Sequence, residues 1–381
     1  MRTLWTFSCS LLLCGSLAAT SVTPFDDLDD AVLLDRIQRL DSPVAPVLND
    51  DVRSAIRRYV TTGYRETQAF LGRAEMYFPI FEHYLRRADL PEKLKYLPIV
   101  ESSLRPDVSS FAGAGGLWQF MPATAREYDI VINNYVDERN DPIRATVAAM
   151  EHLQRQYDRY QDWALALAAY NCGAGNVNRA IRRAGGVRDF WKIRRYLPRE
   201  TQLYIPQFIA ASYIAENFFF HDLAPAYPTA DLQYTRTVLV NSYLSLGKVA
   251  RVTEVSLQTL QVLNPHLKRN AVPYSRRGTY LNLPERAMYR FQDYLAAQTE
   301  RRVKCDLDRV LRQEGVSRPE ASVRSLYYVG TGDHLVHLGR LLGVPAAAIR
   351  TWNALAPEQE LYPGQALVVY LPRRELATNG R

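Results

Sequence analysis

Residues 96–125 read YLPIVESSLRPDVSSFAGAGGLWQFMPATA. One acid, Glu101, follows the apolar run Tyr96, Leu97, Ile99 and Val100. Two serines and a loop with glycines at 113, 115 and 116 come next, then a second apolar run through Trp118, Phe120 and Met121. A carboxyl among so many apolar side chains is costly to ionise, so its pKa is expected to rise. That is what a general acid needs near neutral pH. By spacing alone, a Glu near a helix end is more often a solvated surface residue.

Working outward from that stretch, Leu90-Pro91-Glu92 opens the helix that leads to Glu101, because Pro suits a first turn. Pro98 is expected to kink that helix just ahead of the acid. Upstream, Phe70, Leu71, Met76, Phe78, Ile80, Phe81 and Leu85 make one apolar helical series ending near Arg87. Val52, Ile56, Tyr59 and Val60 make another behind a cap at Asn49 or Asp50. Residues 25–50, acidic at first and carrying Pro43 and Pro46, read as a linker with one short helix over 32–40. Downstream, Pro122–Tyr128 begins a helix capped from Thr124. The acids of V-D-E-R-N-D-P (136–142) cap the next, whose apolar face is Ala145, Ala148, Ala149 and Leu153. An Ala/Leu-rich helix then runs into Tyr170-Asn171-Cys172-Gly173. Leu197-Pro198-Arg199-Glu200-Thr201-Gln202-Leu203-Tyr204-Ile205-Pro206 leads into a helix over 209–220.

The 381 residues have an ordinary globular composition with room for two or three domains. Residues 1–18 read as a secretory signal: Arg2, an apolar core through Leu11–Leu13, and small residues at 16, 18 and 19. That core is too short to span a membrane. Leu13 stands where a lipoprotein signal wants a small residue before Cys14, which favours cleavage near Ala18 or Ala19 over lipidation at Cys14. Cleavage removes Arg2 and no acid, so a net charge of +7 becomes +6. The surplus suits an anionic polymer but is too dispersed to choose one. Cys172 and Cys305 then remain, expected as free, buried thiols rather than a disulfide framework. The six histidines show no metal-ligand spacing, so no metal and no cofactor is expected.

Past His221 the texture changes at Pro225 and Pro228, and two segments echo each other. A shift of 89 residues superposes Leu335 on Leu246, Val344 on Val255, Ile349 on Leu260 and Asn353 on Asn264. The later segment carries a Gly332-Asp333 turn and a Pro363-Gly364-Gln365 loop; the earlier one lacks both.

The order E-S, Pro five residues after the Glu, Ser at nine, then G-L-W-Q-F-M-P-x-T-A resembles the lytic murein transglycosylases of the soluble-lytic-transglycosylase type. It is most similar to the membrane-bound lytic murein transglycosylase D-like group. The D-E-R turn, A-Y-N-x-G at 169–173 and the stretch at 197–206 match further family elements. Residues 327–371 resemble a LysM module. The resemblance implies a mainly α chain in which a lysozyme-like helical catalytic domain is followed by small βααβ modules. It divides into a signal (1–18), a helical extension (25–84), the catalytic domain (85–222), a degenerate LysM-like module (231–285), a helical connector (286–323) and a LysM module (324–373).

On the same resemblance Glu101 is the catalytic acid and base, working without a second carboxylate. Ser102, Ser110, Gln119, Met121, Tyr170, Asn171 and Tyr204 hold the sugar, Tyr170 bonding near Glu101. Gly332, Asp333, Leu335, Pro363, Gly364 and Gln365 frame a glycan site. The implied partner is peptidoglycan in the periplasm or cell envelope, without nucleic acid, and membrane association is left open. A goose-type lysozyme, a catalytically dead wall binder and a nucleic-acid binder are the competing readings. The intact Glu101 disfavours the second, and the dispersed charge the third.

Overall fold

The structure is a computed structural model and describes residues 25, 28–298, 322–330, 333–344, 346–353, 355–356, 359–362 and 364–372. The signal segment, Cys9, Cys14, Cys305, Gly332, Pro363 and the connector over 299–321 lie outside these residues. Helices dominate, and named strands begin only after residue 234, so the chain is mainly α as its sequence implies.

Helix α1 (Asp30–Gln38) is capped by Asp29 and α2 (Asp50–Val60) by Asn49, whose side chain accepts from the Val52 amide. Helix α3 (Tyr64–Arg87) carries the second apolar series as one continuous rod, with Pro79 inside it. Its Phe70 and Phe81 share one core with Leu33, Ile37, Ile56, Trp118 and Tyr213. The N-terminal extension therefore completes the catalytic core.

Pro98 does not kink a running helix. A 3-10 turn over Glu92–Tyr96 ends first, and Pro98 sits in the first turn of a new helix, α4 (Leu97–Ser102). A prolyl ring costs nothing there, because the N–H it lacks would have no partner in the helix. Ser103 and Leu104 then take left-handed backbone (φ 51° and 59°) and end α4 two residues after Glu101. Neither is glycine, so the turn is strained, and strain of this kind gathers at functional sites. The Arg73 guanidinium of α3 donates twice to the Ser103 carbonyl, at 3.1 and 2.9 Å, and holds the turn.

Helix α5 (Pro122–Glu127) starts without a side-chain cap, so Thr124 does not play the part its spacing suggested. Asp141 does cap α6 (Pro142–Tyr160), accepting from the amides of Ile143 and Arg144. Helices α7 (Trp163–Cys172), α8 (Ala174–Arg183), α9 (Phe190–Ile193) and α10 (Arg199–Asn217) complete the bundle, α10 packing on α2, α4 and α7. Cys172 is a free thiol, half-buried rather than buried.

A short α11 (Ala230–Gln233) leads into the first module. There β1 (Thr235–Val240) pairs antiparallel with β4 (Thr279–Pro284), from Thr235↔Pro284 to Val240↔Thr279. Between them run β2 (Leu244–Ser245), α12 (Leu246–Thr253), α13 (Leu257–Leu263) and β3 (Ala271–Val272). The chain is helical again over 288–298, and Ala287 and Phe291 belong to this module's core. That core thus draws on residues the sequence reading gave to the connector. The second module pairs β5 (Ser322–Tyr328) with β6 (Ala366–Pro372) around α13's successors α14 (Leu335–Leu342) and α15 (Ala346–Trp352). Its core of Val329, Leu335, Leu338, Ile349, Leu367 and Val369 is separate.

The 89-residue echo is structural. Asn264 donates to the carbonyls of Leu260 and Asn282 and accepts from the Asn282 amide. Asn353 does the same with Ile349 and Val368. In each module one asparagine ties the second helix to the closing strand.

Candidate active site

Glu101 sits in the last turn of α4, half-buried among the apolar residues that surround it in sequence. Burial pushes its carboxyl from the ordinary 4.5 up to about 7; a hydrogen bond from Tyr204 pulls the other way, and the charge of Glu200 adds a small push upward. The order matters: loss of hydration wins over a good donor. Tyr204 is buried in α10, and its hydroxyl donates to Glu101 Oε1. Its own phenol is held well above the usual range by burial and by the neighbouring carboxyl.

Tyr170 does not bond Glu101. Its hydroxyl donates to the Trp118 carbonyl at 2.7 Å, close enough to Glu101 for that charge to reinforce the effect of burial on its phenol. The tyrosine that serves the acid comes from α10, and the tyrosine of α7 fastens the Gly-Leu-Trp turn beside it. Asn171 accepts from Thr201 Oγ1 at 2.6 Å, which links α7 to the start of α10. Ser102 is buried, and its hydroxyl lies 3.0 Å from the Pro98 carbonyl and 2.9 Å from that of Leu117. A hydroxyl shut between two carbonyls cannot reach a sugar, so Ser102 is a structural residue, not a substrate contact.

The glycine loop is a built object. Bridges Ser109↔Gly115 and Gly115↔Phe120 pin its base, and Ser110 Oγ accepts from the Ala114 amide at 3.0 Å. Gln119 takes left-handed backbone (φ 48°) and donates its amide protons to the carbonyls of Gly116 (2.8 Å) and Val108 (3.3 Å). Both donors are spent inside the loop. Trp118 is wholly buried and donates to Thr146 Oγ1 at 2.9 Å, anchoring the loop in the core. Met121 and Ser110 are exposed. Phe111, which the sequence reading passed over, stands wholly exposed at the loop's tip.

Arg139 was also missed. Its guanidinium makes a bidentate pair with Asp137 (2.9 and 2.8 Å) and donates to the carbonyls of Gly113 (2.6 Å) and Phe120 (3.0 Å). Gly116 packs against it so closely that a Cβ would lie 1.8 Å from the Arg139 carbonyl oxygen, at φ +80°. Only glycine fits there. The sequence signal was present in the D-E-R turn, but it read as helix capping. Behind the cleft His152, its pKa pushed down to about 4 by burial, bonds the Tyr128 hydroxyl and packs on Tyr170.

In the second module Asp333 Oδ2 accepts from the Gly330 amide and the Tyr327 hydroxyl, each at 2.7 Å, closing the turn before α14. A cavity of about 430 Å³ opens beside it, with Asp333, His334 and Val336 on one wall and Gln359, Glu360 and Leu361 on the other. Leu335 lines it from the core. Two expected contacts do something else. The Gln365 side chain is buried and accepts from the Tyr362 amide at 3.3 Å. A Cβ on Gly364 would come within 2.8 Å of the Thr237 carbonyl of the first module. The first shapes its own loop, and the second marks where that loop meets the neighbouring module.

Residues 78–192 match the Transglycosylase SLT domain family, residues 234–300 the Lytic transglycosylase MltD, LysM-like domain, and residues 327–369 the LysM domain. The membrane-bound lytic murein transglycosylase D of Escherichia coli (strain K12) is 30% identical over 326 residues, which are 84% of this chain and 69% of that protein. A putative tributyltin chloride resistance protein of an Alteromonas species is 38% identical over 112 residues, 29% of this chain and 53% of its own. A membrane-bound lytic murein transglycosylase F of Cellvibrio japonicus is 31% identical over 155 residues, 36% of this chain and 30% of its own. With its raised Glu101 carboxyl, its glycine loop and its two trailing modules, the chain belongs to the family of the membrane-bound lytic murein transglycosylases D and is a lytic transglycosylase.

Proposed function

We propose that Glu101 serves alone, first as acid and then as base, in a cut of the β-1,4 bond between N-acetylmuramic acid and N-acetylglucosamine in peptidoglycan. Protonated, it gives its proton to the glycosidic oxygen as the bond to C1 of the muramic acid breaks. Ionised, it takes the proton of that sugar's C6 hydroxyl as the hydroxyl oxygen closes on C1. The strand then ends in a 1,6-anhydro ring, no water enters, and the acid is regenerated.

One observation carries this reading: a lone carboxyl poised at about 7, so that both of its protonation states are accessible at neutral pH. A two-carboxylate glycosidase needs a second acid across the bond. Asp107 is exposed and turned toward Arg105 at 3.8 Å, and Glu200 is exposed as well. Tyr204 holds the carboxyl in place for both steps. Ser110, Met121, the carbonyl of Gln119 and Asn171 are the sugar contacts we assign, with Tyr170 setting the floor. The cavity beside Asp333 holds N-acetylglucosamine units and keeps the enzyme near its polymer. Two of the relatives are named membrane-bound, and we place this chain in the cell envelope on the same grounds. Among the described residues no helix is long and apolar enough to cross a membrane.

The test is a murein digest analysed by mass spectrometry. Anhydro ends, lighter by one water than hydrolytic ends, are expected from the wild type. Glu101→Gln should slow release by ~10²–10⁴. Only reducing ends, or a Glu101→Gln enzyme near wild-type rate, would sink the reading. Stability gives a second readout. Below pH 4.5 the carboxyl is protonated both folded and unfolded and has no effect. Between 4.5 and about 7 the unfolded chain sheds its proton first, so stability falls as pH rises. Glu101→Gln removes that penalty. It should raise the unfolding free energy above pH 7 by on the order of 3 kcal/mol, seen as a higher Tm there and an unchanged Tm at pH 4.

A further inference from the structure

We infer that the first LysM-like module is a brace for the catalytic loop, part of the enzyme rather than a wall-binding appendage. The inference rests on the lytic transglycosylase assignment and concerns how the cleft is held. The Gly113 and Phe120 carbonyls are gripped by Arg139, and Arg139 is fixed by Asp137. The ion pair is almost sealed from solvent, so each partner depends on the other for satisfaction. The turn that carries both residues has bonds of its own, such as those of Glu138 with Val131 and of Asn133 with Val136, and the module grips it with a second set.

The Asp137 amide donates to the His266 carbonyl at 2.9 Å, and the Lys268 amide donates to the Tyr135 carbonyl at 2.9 Å. Val136 and Leu267 bridge between them, and Val136 is buried in the module's own core. Lys268 Nζ donates to the Asn133 carbonyl at 2.8 Å and lies 3.9 Å from Asp137. Arg277 pairs with the buried carboxylate of Glu138 and donates to the Asp129 carbonyl at 2.9 Å. His266, completely buried, donates from Nε2 to the Tyr280 carbonyl at 2.8 Å and stands 3.7 Å from Asp141, the cap of α6. Arg144 of α6 lies over the Tyr280 ring. The module clasps the turn from both ends, and the turn holds the loop. Lys268, His266 and Arg277 are positioning residues that act through Arg139.

The test uses the full chain with Arg277→Ala and Lys268→Ala, singly and together, since both side chains reach the rim of the seam. Hydrogen exchange is read at the loop amides of Ser110, Gly115, Gly116 and Phe120, each donating to a loop carbonyl, with α10 amides as the folding control. Kinetics are read on soluble uncross-linked glycan strands, and binding by retention on insoluble murein. In the double variant the loop amides should exchange at least about tenfold faster while α10 does not change. The kcat should fall about tenfold or more, in line with the cost of misplacing a reacting group, with little change in KM or retention. Arg277→Lys, which keeps the ion pair, should restore both readouts. Unchanged loop exchange overturns the inference, whatever happens to the module's melting temperature. So does a loss confined to KM and murein retention, which would make the module a glycan subsite instead.

Discussion

The two modules share a plan and differ in where they spend their loops. Each is an antiparallel hairpin closing over two short helices, with one asparagine, Asn264 or Asn353, locking helix to strand. In the first, the segment after that asparagine turns toward the catalytic domain and is consumed there: His266, Leu267, Lys268 and Arg277 all bond or pack on residues 129–141. In the second, the corresponding segment walls the cavity beside Asp333. The lock spans 18 residues in the first module and 15 in the second. The contrast teaches that one βααβ core can carry loops put to different uses.

The largest expected effect separates the modules outright. A chain ending at 298 keeps the catalytic core and the first module's core intact. It should cut soluble glycan strands at nearly the full rate and lose its hold on insoluble murein. A chain ending at 229 also loses the clasp on the 129–141 turn and bares Val136. Its activity should drop by ~10², with faster loop exchange. If both truncations are equally active, the first module is no more part of the enzyme than the second.

Much of this plan is legible in the sequence. Caps at Asn49 and Asp141 fall where side chain and helix start adjoin, and local chemistry decides them. The 89-residue echo is legible because both cores need the same apolar positions. The acid and its loop are legible because they form one continuous run. What the sequence hides is contact at long range. Tyr204 reaches Glu101 across 103 residues, and Tyr170, equally suited on paper, turns to Trp118 across 52. Nothing local distinguishes two tyrosines on two helices. Ser102 beside the acid reads as a sugar contact until its position between two carbonyls is seen. The D-E-R turn reads as capping because Asp141 does cap; that Arg139 also grips Gly113, 26 residues upstream, depends on how the loop folds back.

A smaller effect sharpens the comparison through the two locks. Each asparagine makes two donor bonds and one acceptor bond, and its loss strands buried backbone groups at about 1–3 kcal/mol. Asn264 is buried more fully than Asn353, so Asn264→Ala should lower stability more. It should also slow catalysis by loosening the brace, whereas Asn353→Ala, beyond its smaller loss of stability, should lower murein retention and leave catalysis unchanged. Thermal melts and strand-cleavage rates on the two variants check this. Equal catalytic loss from both would mean that the second module also supports the cleft.

The smallest effect is expected at the turns that open each module. Asp333 closes its turn as a carboxylate, accepting from the Gly330 amide and the Tyr327 hydroxyl, and these bonds hold its pKa below the usual 3.8. A depressed carboxyl keeps its bonds above that range and loses them only in stronger acid, so the wall of the cavity is set at any neutral pH. Asp333→Ala should therefore lower retention on murein severalfold, since a site this shallow binds weakly and each contact counts. It should leave kcat on soluble strands untouched. At the turn that opens the first module, Asn241 donates to the carbonyls of Ser275 and Arg276 at 3.1 Å each. Asn241→Ala should leave retention unchanged. If the two substitutions weaken retention alike, the first module carries a working glycan site in addition to its clasp, and the division of labour between the modules is one of degree.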